Sequence, residues 1–203
     1  MTGKIKLNAA SGGGSVSFQA PSSTGDDRVI TLPTTADGTV LTTTNPKAGN
    51  ILQVVQTFKT DITSGSGSQG NWQDISGLSV SITPTSSSNK ILVTFSVQFG
   101  AGSTGSVVGM RLERGGTGIG IADASSNRLR GTVAEQTTYS NANNTVSLAT
   151  SQFLDSPSTT SSTTYNVAIH CSNNWYINRS EEFSDSDNHT VGTSFITAME
   201  VAG

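Results

Sequence analysis

The stretch from Leu78 to Phe99 constrains the fold of this chain most, because it alternates apolar and polar residues over two consecutive runs. A period of two is the side-chain period of a β-strand, so one side of each run is expected to face a core. Pro84 and the small polar residues after it favour a turn between the runs. The pattern predicts a half-buried antiparallel hairpin. Its core-facing residues would be Leu78, Val80, Ile82, Ile91, Val93, Phe95, Val97 and Phe99.

The opposite side of the second run carries Thr94, Ser96 and Gln98. These residues would then be exposed to solvent or packed against a neighbouring copy of the chain. Their burial in an assembly decides between the two.

Further short runs on both sides of this stretch are typical of strands, and no segment keeps the 3.6-residue period of a helix. Roughly nine or ten strands are expected after residue 47. The sequence therefore predicts an all-β, antiparallel sandwich of jelly-roll type. The additional runs are residues 51–58, 107–113, 117–121, 129–138, 146–153, 165–171, 175–177 and 195–201, with a loop at 63–70 and a tight turn at Gly115 and Gly116.

Residues 1–46 differ from the rest of the chain, since their apolar patches are two or three residues wide and end at Gly or Pro. Patches of that size cannot build a core within one chain. They are expected to form short strands that pack against other copies or another protein, so we predict an N-terminal arm (1–46) before a sandwich domain (47–203). A flexible linker is the alternative. The patches contain Ile5, Leu7, Val16, Phe18, Val29, Ile30 and Leu32.

The composition argues against several classes of partner. The net charge is −3, and the eleven basic residues are scattered along the chain, so binding to nucleic acid through phosphates is not expected. No apolar run is long enough for a membrane span, and the first residues lack the apolar run of a signal peptide. The single Cys171 cannot form an intrachain disulfide.

No catalytic or cofactor motif emerges from the residues, and neither a catalytic residue, a cofactor nor a metal is predicted. Asp185 and Asp187, with His189 two positions further on, have the spacing of alternating oxygen ligands of calcium at the two aspartates, but the Gly and Glu of a calcium loop are missing. A solvated acidic loop fits better. His170 and Cys171 are neighbours on a predicted strand, so their side chains point to opposite faces and cannot form a local nucleophile pair.

Aromatic residues provide one candidate binding site. Trp175 and Tyr176 follow Asn173 and Asn174, whose amides could hydrogen-bond sugar hydroxyls while the rings stack on a glycan. Trp72 and Tyr139 could extend such a surface. The competing interpretation, in which both tryptophans pack in the core or an interface, is favoured because tryptophans are highly buried on average.

Parts of the sequence resemble proteins of tailed bacteriophages, of the marine or cyanophage type. Residues 14–21, 28–33 and 37–41 are similar to a segment common near the start of fibre and appendage proteins. The matching parts of the body are residues 51–58, 77–84, 90–93, 153–157 and the ending 199–203.

This resemblance implies a virion protein that is usually a homotrimer, with an N-terminal arm that docks or intertwines and a C-terminal β-rich knob. Such a protein would be a short tail or head fibre or a capsid-decoration protein, made in the host cytoplasm, released by lysis and carried on the virion surface. Its partners would be other capsid or tail proteins. The alternative function is a host-receptor or glycan-binding adhesin module at a fibre tip. No catalytic residue follows from the resemblance.

Overall fold

The chain was analysed as a computed structural model. It divides into two compact units, Met1–Val40 and Leu41–Gly203. Within the described residues no helix is long and apolar enough to cross a membrane. The predicted division after residue 46 stays a prediction, since residues 26–45 lie outside the described part. The described residues are 4–8, 11–13, 15–19, 25, 46–68, 70–102, 105–136 and 144–203.

The first unit contains an antiparallel strand pair, β1 (Lys4–Asn8) and β2 (Ser15–Gln19). The side chains of Leu7 and Phe18 are about half exposed, at 55% and 49%. The two described patches therefore form strands, and the side chains of Leu7 and Phe18 on them are open to solvent. The predicted arm residues Val29, Ile30 and Leu32 lie outside the described residues.

The second unit is built from strands throughout its described part. Its strands are β3 (Ile51–Lys59), β4 (Thr63–Gly65), β5 (Gln73–Ile82), β6 (Lys90–Ala101), β7 (Val107–Arg114), β8 (Thr117–Ile119), β9 (Val133–Gln136), β10 (Ser147–Asp155), β11 (Thr163–Cys171), β12 (Trp175–Ile177) and β13 (Ser194–Val201).

These strands form two antiparallel sheets. The first sheet has the order β3-β13-β6-β10, and β12 continues beside β6 beyond the end of β13, with β4 on its far side. The second sheet has the order β5-β11-β7, and both β8 and β9 pair with the remaining side of β7. The chain alternates between the sheets in the order of a jelly roll, which confirms the predicted fold class.

The core lies between the two sheets and follows the predicted alternation. The eight residues predicted to face the core from 78 to 99 are each at most 5% exposed. The second sheet adds Tyr165, Val167 and Ile169 from β11 and Val108, Met110 and Leu112 from β7, all at most 1% exposed. Alternation at a period of two thus identified the buried side of these strands correctly.

The predicted hairpin between residues 78 and 99 is wrong. β5 pairs with β11 in the second sheet, whereas β6 pairs with β10, β12 and β13 in the first. The loop at residues 83–89 therefore crosses from one sheet to the other. Alternation determines which side of a strand is buried but not which strand lies beside it. Two strands facing one core from opposite sheets give the same pattern as two neighbours.

The crossing loop is fastened by Glu200 of β13. Its carboxylate is fully buried and accepts hydrogen bonds from the Thr85 backbone NH at 2.6 Å, the Thr85 hydroxyl at 2.8 Å and Asn89 Nδ2 at 2.6 Å. Gln53 Nε2 donates to the other carboxylate oxygen at 2.6 Å. Burial raises the pKa of Glu200, but these hydrogen bonds outweigh it and hold the pKa below its usual value.

A second buried polar group joins the sheets. Asp155, at the end of β10, accepts two hydrogen bonds from Arg114 Nη1 at 2.8 and 2.9 Å and one from the Tyr165 hydroxyl at 2.7 Å. Burial, together with the neighbouring Asp155, raises the pKa of Tyr165. Because Arg114 and Tyr165 belong to the second sheet, this group links the two layers.

The remaining strand predictions agree with the structure except in two places. Residues 63–65 form the short strand β4 at the start of the predicted loop. Of the described residues in the run predicted at 129–138, residues 133–136 form a strand, and residues 137 and 138 lie outside the described part. The turn at Gly115 and Gly116 joins β7 to β8 as predicted, and both glycines have positive φ values, as a two-residue hairpin turn of type I′ requires.

Candidate binding surfaces

The outer side of the first sheet presents an uncharged face. Twelve side chains on β3, β13, β6 and β10 form three rows of four across it. The first row is apolar, the second is polar, and the third is aromatic at one end and carries hydroxyls at the other. The rows are Val54, Met199, Leu92 and Leu154; Gln56, Thr197, Thr94 and Gln152; and Phe58, Phe195, Ser96 and Thr150.

Three of the six apolar side chains of this face are open to solvent, and the other three are half-buried. Val54 is 56% exposed, Phe58 54% and Leu154 45%. Phe58 lies parallel to Phe195 with their ring centroids 6.2 Å apart. Between β6 and β10 lies a shallow hollow of about 350 Å³, lined in part by the hydroxyls of Thr94 and Thr150. Depletion of charge together with exposed aromatic and aliphatic groups is typical of the central part of a protein–protein interface.

The chain itself covers the far end of the same sheet. Residues 178–193, between β12 and β13, run past Gly100, and a Cβ at Gly100 would lie 2.8 Å from the carbonyl oxygen of Arg179. The Arg179 guanidinium lies 4.4 Å from the centre of the Tyr176 ring. Burial and the adjacent Glu181 raise the pKa of Tyr176. The uncharged face is therefore limited at this end by the β12–β13 loop.

The predicted glycan residues are only partly at the surface. Trp175 is 5% exposed, packs in the core and donates from Nε1 to Gln73 Oε1 at 2.7 Å, so its ring has no open face for stacking. Tyr176 and Asn174 line a polar hollow of about 290 Å³ together with residues 64–66. Asn173 is exposed, and its Nδ2 donates to Ser106 Oγ at 3.1 Å. A glycan role for Tyr176, Asn173 and Asn174 stays a prediction.

The acidic loop shows no metal-binding geometry. Asp185 and Asp187 are exposed, and His189 Nδ1 lies 3.2 Å from Ser184 Oγ. Over the described ranges, no three His, Cys, Asp or Glu side chains converge as metal ligands would. Cys171 faces the core at 1% exposure, and burial raises the pKa of its thiol.

The outer side of the second sheet carries a cleft of about 260 Å³, here called the Trp72 cleft. The indole of Trp72 lies over a floor without side chains, because a Cβ at either Gly109 or Gly131 would be 3.2 Å from its Cη2 atom. The cleft is lined by Trp72, Val107, Val108, Gly109, Arg128, Leu129, Gly131, Val133, Ala134 and His170.

Polar groups flank the indole. The Arg111 guanidinium lies 4.8 Å from the ring centre and forms an ion pair with Glu113. Asn166 Nδ2 donates to both Glu113 at 3.1 Å and Asp74 at 2.8 Å. This chain of contacts holds Trp72 beside a continuous hydrogen-bonded network.

His170 belongs to the lining of the cleft. Its ring meets the Trp72 ring edge-on at 6.0 Å, and its Nδ1 lies 3.1 Å from the Asn71 carbonyl oxygen. Since a carbonyl can only accept, Nδ1 carries the proton, and Nε2 of the neutral ring is an acceptor.

The sequence placed Trp72 in the candidate glycan-binding surface but did not predict that it is more exposed than Trp175. Glycines make room for both rings, Gly65 for Trp175 and the glycines at 109 and 131 for Trp72, so no signal in the sequence distinguishes the two. Tyr139, the other predicted member of the surface, lies outside the described residues.

Comparisons with known proteins do not assign the chain to a family. No family model matches the chain, and no curated protein matches it. The VP2 subviral particle of infectious bursal disease virus aligns over 93% of this chain and 42% of its own, at 12% identity and a TM-score of 0.45. A structure of the Gx strain of that virus aligns over 94% and 46%, at 11% identity and a TM-score of 0.37. The chain thus spans less than half of either protein, and such low TM-scores establish neither fold nor function.

Proposed function

We propose that this chain is a non-enzymatic structural protein of a bacteriophage particle, either a short homotrimeric fibre of the tail or head or a capsid-decoration protein. Residues 1–46 attach it to other virion proteins, and the sandwich is displayed on the virion surface. The resemblance of residues 14–41 to the start of phage fibre proteins supports this proposal. Jelly rolls occur in viral capsid proteins, lectins and cupins. The fold is therefore compatible with a virion protein but does not by itself identify one.

The uncharged face is the observation that carries the proposal. Strand spacing and rise give its four strands, over the five residues that each contributes, a flat area of about 300 Å². Two such faces in contact would bury about 600 Å². Contacts of the arm strands must supply the rest of the roughly 1,000 Å² that a specific interface needs. A second copy of the chain is the partner that fits, because it presents the same uncharged rows of aliphatic and hydroxyl groups.

Three copies around a threefold axis would each turn this face inward. The exposed side chains of Val54, Phe58 and Leu154 would then be buried, and the hydroxyls of Thr94 and Thr150 could pair across the contact. Burial of these apolar groups supplies the driving force, at about 25 cal/mol per Å². The arm strands, whose Leu7 and Phe18 are half exposed, would add further contacts.

Light scattering on the purified chain tests this arrangement. We expect a mass of about three times 20.9 kDa for the unaltered protein. A double variant, Val54→Lys with Leu154→Lys, should reduce the mass to that of one chain, because an unpaired buried ammonium opposes association by several kcal/mol. Both sites are open in the single chain, so circular dichroism should show an unchanged fold.

Val191→Lys is the matched control. Val191 is 49% exposed but lies in the β12–β13 loop, so this change should leave the assembled mass unaltered. A monomeric unaltered chain would refute the assembly, and a dimer would refute the threefold arrangement. A double variant that keeps the full mass would show that another surface makes the contact.

A further inference from the structure

The Trp72 cleft combines an aromatic wall with hydrogen-bonding groups at one place on the second sheet. Its walls are Trp72, Val107, Leu129 and Val133, and its polar lining comes from Arg128 and His170. Leu129 and Val107 are 40% and 48% exposed, so the cleft is open to solvent.

The size of the cleft restricts its occupant. At about 260 Å³ it falls below the ~300–1,000 Å³ of pockets for drug-sized ligands. It therefore admits one ring-sized unit rather than an extended chain. A sugar ring suits such a wall, because its C–H side packs against an indole while its hydroxyls need donors and acceptors. Among the lining residues, His170 has a ring nitrogen that can accept, and Arg128 supplies donors.

The charge of the lining favours an anionic unit. Arg128 and His170 are the ionisable side chains among the lining residues, and neither is acidic. In the part of the chain that the structure describes, the Arg128 guanidinium bonds only to the backbone oxygen and hydroxyl of Ser125, at 3.4 and 3.2 Å. Arg111, next to the cleft, is already paired with Glu113. Arg128 is thus the cation with capacity for a ligand carboxylate.

We propose that the Trp72 cleft binds one acidic sugar unit, a hexose ring that carries a carboxylate, with the ring against Trp72 and Leu129 and the carboxylate at Arg128. This site lies on the second sheet and is independent of the proposed assembly through the first. It would let a displayed sandwich bind an acidic polysaccharide at a surface.

Nuclear magnetic resonance of the ¹⁵N-labelled full chain tests the site. The chain has two tryptophans, so two indole N–H signals are expected, and Trp72→Phe assigns them by removing one. Methyl β-D-glucuronide should shift the Trp72 signal with a millimolar Kd. The Trp175 signal, from a buried ring, should stay in place. Methyl β-D-glucoside, which lacks the carboxylate, should bind about tenfold more weakly.

Arg128→Gln should weaken the glucuronide about tenfold and bring it to the level of the glucoside. Arg130→Gln is the matched control, because it removes the same positive charge two residues away. Arg130 donates to the Ala122 carbonyl and is not part of the cleft lining. It should leave the titration unchanged. A static Trp72 signal, equal affinity for both probes, or equal effects of the two arginine variants would each overturn the proposal.

Discussion

At the scale of single residues, Glu200 shows how one buried carboxylate determines a chain crossing. It is 0% exposed, and its oxygens accept four hydrogen bonds from Gln53, Thr85 and Asn89. A glutamate near the end of a strand is ordinarily expected at the surface. Nothing in the local sequence indicates that it points inward, because its partners lie more than a hundred residues away.

Glu200→Gln should destabilise the fold by about 1–3 kcal/mol, because the new amide nitrogen would face donors instead of accepting from them. The change should also alter the pH dependence. The folded pKa is below that of the unfolded chain, so the stabilisation is present above the unfolded value of 4.5 and is lost as the pH falls through the folded pKa. Urea unfolding at several pH values measures both effects.

Glu182→Gln provides the control for that measurement, because Glu182 is an exposed glutamate in the β12–β13 loop. It should retain the unaltered chain's stability at neutral pH. Equal unfolding midpoints for Glu200→Gln and the unaltered chain at neutral pH would show that the carboxylate does not hold the crossing loop.

The two tryptophans show the limit of sequence reasoning at this scale. Trp72 directly precedes β5 and Trp175 begins β12, both near polar residues, and composition cannot rank their exposure. Trp175 is buried, whereas Trp72 lines a surface cleft. Both rings lie over glycines, Trp175 over Gly65 and Trp72 over glycines 109 and 131 on neighbouring segments. Trp72 and the glycines at 109 and 131 come together only in the folded chain, where β7 lies beside the segment before β9.

At the scale of elements, alternation predicted the buried sides of β5 and β6 but not their partners. Each strand turns its apolar side to the same core, which is the information that a period of two contains. The partner depends on the path of the loop at 83–89, and that path depends on Glu200. The turn at Gly115 and Gly116 was predictable, because two positive φ values in a two-residue hairpin demand glycine or asparagine.

Replacing residues 83–89, the whole connection between β5 and β6, by an Asn-Gly turn should prevent folding. Such a turn joins adjacent strands about 4.8 Å apart, whereas β5 and β6 lie in facing sheets about 10 Å apart. We expect no cooperative unfolding transition in thermal denaturation. The control replaces Gly115-Gly116 by Asn-Gly, which suits a true hairpin and should alter stability by less than about 0.5 kcal/mol.

A folded chain with the shortened connection would contradict the sheet assignment of β5 and β6. It would restore the hairpin that the alternating pattern first indicated. Loss of folding in the Gly115-Gly116 control would instead mean that turn substitutions in general are not tolerated.

At the scale of the whole molecule, the sequence predicted the sandwich class and the strand character of the first apolar patches. It could not predict the uncharged face, because its twelve residues come from four strands at sequence positions from 54 to 199. Thr94 and Ser96, whose surroundings the sequence left open, lie on this face. Whether they are buried in an assembly is the question that the light-scattering variants address.

The number of copies of this chain in purified phage particles, counted by quantitative mass spectrometry, tests the proposed role most directly. We expect a fixed copy number that is a multiple of three, and loss of the chain from particles when residues 1–46 are deleted while the remaining sandwich stays folded. Absence of the full chain from purified particles would contradict a role as a virion protein, and full retention of the truncated chain would contradict attachment through the arm.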